Sequence, residues 1–458
     1  MDGPSTIENG GILLDTFGQQ TLPIYTQICF GFPLADAQSY SSVIDNLAMA
    51  LRRLYAQFPW LAGRVVNEEA TESSSGLFKI TPRPHGEEAC LIVKDRRYDA
   101  SFPSMGTLRE ERFPINALDE DLLAPRRTLM EAGCSAEVFL VQATMIPGGL
   151  FLTLLGHHQA MDGIGQDQVI RLFAKGCRGE DFTEEERVVG NLDAGNNIPL
   201  LEGFAELPSS ILDHQIISKQ KSLLQSQPQK PPDCSWATFS FNKTSLAALK
   251  TTATQGLPAG QFISTDDALS AFIWNSVTSV RLPRLSAGKS STFARAVDVR
   301  HILAISPMHP GFVQNMTYNT LAFQELVEMP LGVLASQLRS RVDHETSTLA
   351  RDTCALATFL SNTSDKCCVS FATSIKGGED VFFSSWAKMR CYEYEFGSRL
   401  GTAEVVRRTK SNNLTEGLMY LMPMAPDGGI GLVVCLSDVD LAALRGEEEF
   451  ARFAEYIG

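Results

Sequence analysis

The stretch from Val138 to Leu155 constrains this fold most. Val138 to Ala143 is apolar, Pro147-Gly148-Gly149 can turn, and Leu150 to Leu155 is apolar again. Two apolar runs of strand length joined by a glycine turn read as a β-hairpin. The run from Gly149 to Leu155 has the length of a buried strand and falls far short of the ~20 residues of a membrane span. Strand-like and helix-like stretches alternate around it. Ile24 to Phe32 is β-prone and bounded by prolines. Val43, Ile44, Leu47, Ala48, Leu51, Leu54 and Phe58 fall on one face of a helix over Ser41 to Pro59. Pro59 ends that helix, and the chain enters another strand at Arg64-Val65-Val66. Helical spacing resumes from Gly165 to Lys175. The pattern is that of an α/β protein.

A chain of 458 residues is comfortable for two domains at ~150 residues each. The texture changes at 191–234. Asn, Gly and Pro punctuate its first part, and Lys219 to Pro232 is rich in Gln, Ser, Lys and Pro. We read it as a crossover between an N-terminal domain over 1–190 and a C-terminal domain over 235–458. In the second part, Ser264 or Thr265 caps a helix that carries Asp266 and Asp267 in its first turn. A weak internal repeat relates the halves. Pro426-Asp427-Gly428-Gly429 and the apolar run after it resemble Pro147-Gly148-Gly149 and its strand. Only the first copy is followed by a histidine pair.

Lys and Arg number 39 against 53 Asp and Glu, so the net charge is −14. That balance removes the general electrostatic footprint for nucleic acid or an anionic membrane. Ten cysteines are scattered with no Cys-x-x-Cys pair, which speaks against a zinc or redox motif. With no basic and apolar leader at the start, the expectation is a cytoplasmic protein with reduced thiols.

Chemistry concentrates where the apolar strand ends, in Gly156-His157-His158-Gln159-Ala160-Met161-Asp162-Gly163. Adjacent strand residues face opposite ways, so one histidine of the pair faces a given cleft. One imidazole can serve as a general base, a histidine with Asp162 can bind a metal, or both rings can be structural. No companion motif supplies a third metal ligand, so no metal is expected.

The His-His-x-x-x-Asp-Gly run resembles the signature of the CoA-dependent acyltransferases of the BAHD type. Arg295 to Arg300 looks like that family's Asp-x-Arg strand, and Pro310 to Asn315 like its glycine-aromatic turn. Ser384-Ser385-Trp386-Ala387 and Tyr394-Glu395-Phe396-Gly397 stand at the expected distances, with Glu395, Ser398 and Arg399 departing from the usual loop. Within this group the chain is most similar to the fungal trichothecene 3-O-acetyltransferases, along Leu14 to Gln19, Phe182 to Glu186, Gln314 to Tyr318 and the C-terminal Tyr456-Ile457-Gly458.

The resemblance implies two similar chloramphenicol-acetyltransferase-like domains of mixed sheets and helices, with an active-site channel between them. It implies an O-acetyltransferase that uses acetyl-CoA as co-substrate, holds no permanent cofactor and acts as a monomer on a small terpenoid alcohol. Another fungal secondary metabolite, or an amide-forming condensation, is the alternative. His158 becomes the general base and His157 a structural residue. Asp162 is either the acid of a triad or, as the resemblance favours, a brace paired with Arg300. Trp386 supports the reacting carbonyl, with Ser384 or Ser385 beside it. Arg281, Arg284 and Lys289 stand where the family binds the nucleotide end of CoA.

Overall fold

The computed structural model describes residues 11–20, 22–34, 39–71, 74–84, 90–131, 134–192, 198–203, 207–217, 233–255, 257–258, 260–285 and 288–458. The Gln- and Pro-rich stretch expected as an exposed crossover, Lys219 to Pro232, lies outside the described residues. The predicted hairpin forms. Phe139–Ile146 and Gly149–His157 pair antiparallel across Pro147-Gly148, with Gly148 at φ +76°. A positive φ there is a conformation that glycine adopts without steric cost.

These two strands are central to a five-stranded sheet. Its order is Val405–Arg407, Tyr25–Pro33, Gly149–His157, Phe139–Ile146, Ile92–Asp95. Leu150, Leu152 and Leu154 face a core built with the helices Ser39–Gln57 and Gly163–Cys177, through Leu47, Leu51, Val169 and Phe173. Phe151, on the other face, packs with Phe102, Met105 and Leu108. Burial on both faces is why this strand is a continuous apolar run with no alternation.

A seven-stranded sheet holds the second half, in the order Gln314–Ala322, Ser290–Asp298, Val381–Ser385, Leu418–Leu421, Ile430–Ser437, Cys234–Phe241, Ala454–Tyr456. Helices Lys243–Thr254, Thr265–Arg281 and Leu331–Ser340 cover one face, against Phe239, Phe241, Leu432 and Val434. Trp236, Val433 and Cys435 point the other way, into the core of the first half. The halves therefore share one apolar seam. A small sheet of Ile12–Leu13, Leu77–Thr81 and Arg64–Glu68 flanks the first half.

The internal repeat is a shared topology. In the first half, Tyr25–Pro33 is antiparallel to Gly149–His157, which is antiparallel to Phe139–Ile146, which is parallel to Ile92–Asp95. Cys234–Phe241, Ile430–Ser437, Leu418–Leu421 and Val381–Ser385 repeat those directions in the same order. The turn glycine recurs too, as Gly428 at φ +83°.

One exchange departs from a clean split at 235. Val405–Arg407 leaves the second half and pairs with Tyr25–Pro33 at the edge of the first sheet. An open edge of a buried sheet leaves backbone groups unpaired, and this strand covers it. The loop before it is structural. Phe396 packs edge-on against Phe30 and Phe32, and the Tyr394 hydroxyl donates to Asp167 at 2.9 Å.

Candidate active site

The histidine pair lies at the end of the central strand, where the chain turns into the helix Gly163–Cys177. The expected division of faces holds. His157 is 1% exposed and meets the Tyr25 ring edge-on, with centroids 5.4 Å apart. Its Nδ1 accepts from the Gln159 backbone N–H at 3.3 Å, which leaves any ring proton on Nε2. Burial, with a smaller contribution from His158, pushes its pKa down to about 3. The unfolded chain therefore takes a proton near pH ~6.5 that the folded one refuses until about pH 3. Folding stability should fall across that window as pH drops. Denaturant titrations at several pH values check it, and His157→Gln should flatten the decline.

His158 is half-buried and faces the other way, beside the Phe312 ring at 5.3 Å. Its Nδ1 lies 3.1 Å from the Met161 carbonyl oxygen. A carbonyl only accepts, so Nδ1 carries the proton and Nε2 keeps its lone pair. Burial lowers the pKa of His158, while the Met161 hydrogen bond and the nearby Asp162 charge act against that shift. The ring is thus neutral near pH 7, with one nitrogen oriented as a base.

Asp162 does not hydrogen-bond to His158. It caps the helix, its Oδ1 accepting from Gly165 N–H at 2.7 Å. The same carboxylate takes Arg300 in a two-pronged grip, at 2.9 and 3.1 Å, and Val313 N–H at 2.7 Å. Every Arg300 donor is occupied, since Nε reaches the His309 carbonyl at 3.0 Å and the remaining N–H groups reach Asp298 and the Gly311 carbonyl. Both partners are at most 2% exposed. The pair ties the histidine turn of the first half to the Arg295–Gln314 region of the second.

Gly165 lets that junction close. A Cβ there would stand 2.1 Å from the Pro310 carbonyl oxygen and 2.9 Å from that of Gly311. Neither backbone group can swing aside, so Gly165→Ala should cost ~1–3 kcal/mol in a denaturation experiment.

Beside Asp162 and Gly163 lies a cavity of about 380 Å³, also lined by Ser384, Trp386, Arg295 and His301. His158 is not among its lining residues. Trp386 stands over the turn, its Nε1 3.8 Å from where a Gly163 Cβ would be. Its indole N–H donates to Ser384 Oγ at 3.1 Å. Ser384 thereby keeps its own hydroxyl proton for another acceptor. Ser385 is engaged differently, donating to Asp266, which pairs with Arg295 at 2.6 Å.

Arg281, Arg284 and Lys289, which the resemblance sets at the nucleotide end of CoA, each have carboxylate partners. Arg281 is fully buried against Asp440, Arg284 pairs with Asp440 and Glu416, and Lys289 with Glu379. Arg281 is buried with its partner, whereas Arg284 and Lys289 keep part of their side chains at the surface. Positioning groups absent from the sequence reading come from the N-terminal segment. Asp15 accepts from Phe312 N–H at 3.0 Å and lies 3.3 Å from His309. Gln159 donates to the Gly18 and Gln20 carbonyls. Among the described residues no group of three His, Cys, Asp or Glu side chains can hold a metal ion, and no helix is long and apolar enough to cross a membrane.

The family profile of the trichothecene 3-O-acetyltransferase-like N-terminal domain matches residues 24–177. The chain is 45% identical to the O-acetyltransferase dmxR13 of a Cryptosporiopsis species, over 97% of both chains. It is 43% identical to the trichothecene 3-O-acetyltransferase of Fusarium sporotrichioides, over 98% of this chain and 97% of that one. The chain belongs to the trichothecene 3-O-acetyltransferase-like family. Its members include O-acetyltransferases that carry other names. The crystal structure of the F. sporotrichioides enzyme with coenzyme A and T-2 superposes with a TM-score of 0.90, covering 98% of this chain and 99% of that one. Vinorine synthase shares the fold at 14% identity and a TM-score of 0.66.

Proposed function

We propose that this protein moves the acetyl group of acetyl-CoA to a hydroxyl of a trichothecene-like sesquiterpenoid, with His158 as general base. The observation that carries the reading is the His158 tautomer. The Met161 carbonyl holds the proton on Nδ1 and leaves Nε2 to accept one. As the alcohol oxygen bonds to the acetyl carbon, its proton passes to Nε2. The C–S bond then breaks, and the same proton goes to the departing sulfur. The Ser384 hydroxyl, aimed by Trp386, donates to the carbonyl oxygen as negative charge gathers there. Asp162 and Arg300 hold the turn and take no part in the proton transfer. The cavity beside Gly163 and Trp386 takes the acyl donor, in a channel between the halves.

Transfer is direct in this reading. Burial pushes the Cys29 and Cys177 thiols up to about 12 and raises Cys391 well above the ordinary thiol range, so none of the three is a ready nucleophile. The test is incubation with acetyl-CoA and a panel of terpenoid alcohols that includes deoxynivalenol, read by product mass. Free CoA should appear only with a competent alcohol, and the protein's intact mass should not change. An acetylated protein would sink direct transfer. A second acceptor class enters because the 45% identical relative is named simply an O-acetyltransferase. If only non-trichothecene alcohols react, that reading replaces the first. The protein is taken as a cytoplasmic monomer, apart from nucleic acid and membranes, in keeping with its net charge of −14.

A further inference from the structure

We propose that Arg408 is a positioning residue for acetyl transfer, acting through Tyr420 and Trp386 on the Ser384 hydroxyl; this rests on the acetyl-transfer reading above. Arg408 is 4% exposed. Among the described residues it pairs with no carboxylate, and its Nη1 has no hydrogen-bond partner. Its Nε makes a long bond of 3.4 Å to the Thr409 carbonyl. A buried cation so placed is costly, and folds seldom keep one without a use.

What surrounds the guanidinium is aromatic. It lies 4.1 Å from the Tyr420 ring centroid and 5.0 Å from that of Trp236. The Tyr420 ring meets Trp386 edge-on at 5.2 Å. Tyr420 is also the register partner of Ser384 on the neighbouring parallel strand, so the two residues share a sheet face. The path runs from Arg408 to Tyr420, then to Trp386, and through its indole N–H to Ser384 at the cavity wall.

Arg408 follows directly on Val405–Arg407, the strand that crosses back to the first sheet. The crossing thus presses a cation onto the ring that backs the cavity wall. Attraction between the guanidinium and the ring face fixes the Tyr420 plane, and that plane fixes the Trp386 edge. A shifted indole would release the Ser384 hydroxyl from its aim, and misplacement of a catalytic donor lowers turnover more than binding.

The experiment compares Arg408→Met, Arg408→Lys, Ser384→Ala and the Arg408→Met/Ser384→Ala double variant with the parent, reading kcat, KM for acetyl-CoA and melting temperature. Arg408→Met should lose roughly ten- to thirtyfold in kcat with KM near that of the parent. Arg408→Lys, which keeps the charge, should recover part of the loss. In the Ser384→Ala background, Arg408→Met should cost little more, since there is no hydroxyl left to misdirect. Equal losses in both backgrounds, tracking melting temperature, would overturn the proposal. So would a normal kcat for a well-folded Arg408→Met. An inactive parent would instead overturn the acetyl-transfer reading itself.

Discussion

His158→Ala is expected to cut turnover by ~10²–10⁴-fold, the usual worth of a positioned general base. Acetyl-CoA should still bind, because the variant leaves the donor cavity intact and His158 does not line it. The pH profile of the parent follows from the same ring. The working form is neutral, and burial holds its pKa below the ordinary ~6.5. Activity should therefore be at its plateau at pH 7, and kcat/KM should fall only when pH drops past that lowered value. An acid limb at or above pH ~6.5 would contradict the burial argument. His157→Ala supplies the contrast. It removes a ring packed on Tyr25 at the far side of the strand, so melting temperature should drop more than turnover per folded molecule. If His157→Ala silences a well-folded enzyme while His158→Ala does not, the assignments are reversed.

The parts of this fold that were legible in the sequence are those whose physics is local. The hairpin announced itself because Leu150 to Leu155 is apolar on both faces and Gly148 must turn. The helix start at Ser264 or Thr265 was legible because a capping hydroxyl stands just before two acids in the first turn, and the structure settles the cap on Ser264, boxed with Asp267. The His158 and Asp162 pattern was legible only through resemblance, since spacing alone left base, metal ligand and structural ring open. Contacts that join distant segments carry no local signature. Nothing in Val405-Val406-Arg407 says that it will cap the edge of the other sheet. Nothing near Asp15 announces Phe312, 297 residues away. Arg281, Arg284 and Lys289 looked like a basic patch because sequence shows charge and not its partner, and Asp440 arrives from the last 20 residues. Trp386 lines the cavity and its donor faces Ser384, a detail set by side-chain angle that sequence does not carry.

Asp162→Asn should then destabilise the protein by ~3–5 kcal/mol, the typical result of removing one partner from a buried ion pair. The carboxylate answers four donors: two from Arg300, and the backbone N–H groups of Gly165 and Val313. An asparagine has one carbonyl oxygen and turns two N–H donors toward that crowd, so at least one Arg300 donor is left buried and unpaired. The helix Gly163–Cys177 loses the charge at its cap in the same change. Turnover should fall too, because Met161, whose carbonyl fixes the His158 tautomer, sits next to Asp162 on the same turn. The two losses should travel together, in thermal melts and in kcat. Arg300→Met should reproduce both, since it leaves the Asp162 charge buried without its partner. A triad acid would behave otherwise: Asp162→Asn would melt like the parent and lose only kcat, and Arg300→Met would leave the chemistry alone. The geometry predicts the joint loss, because the Asp162 oxygens are occupied by Gly165 and by Arg300 and Val313 of the second half, and none is left for the imidazole.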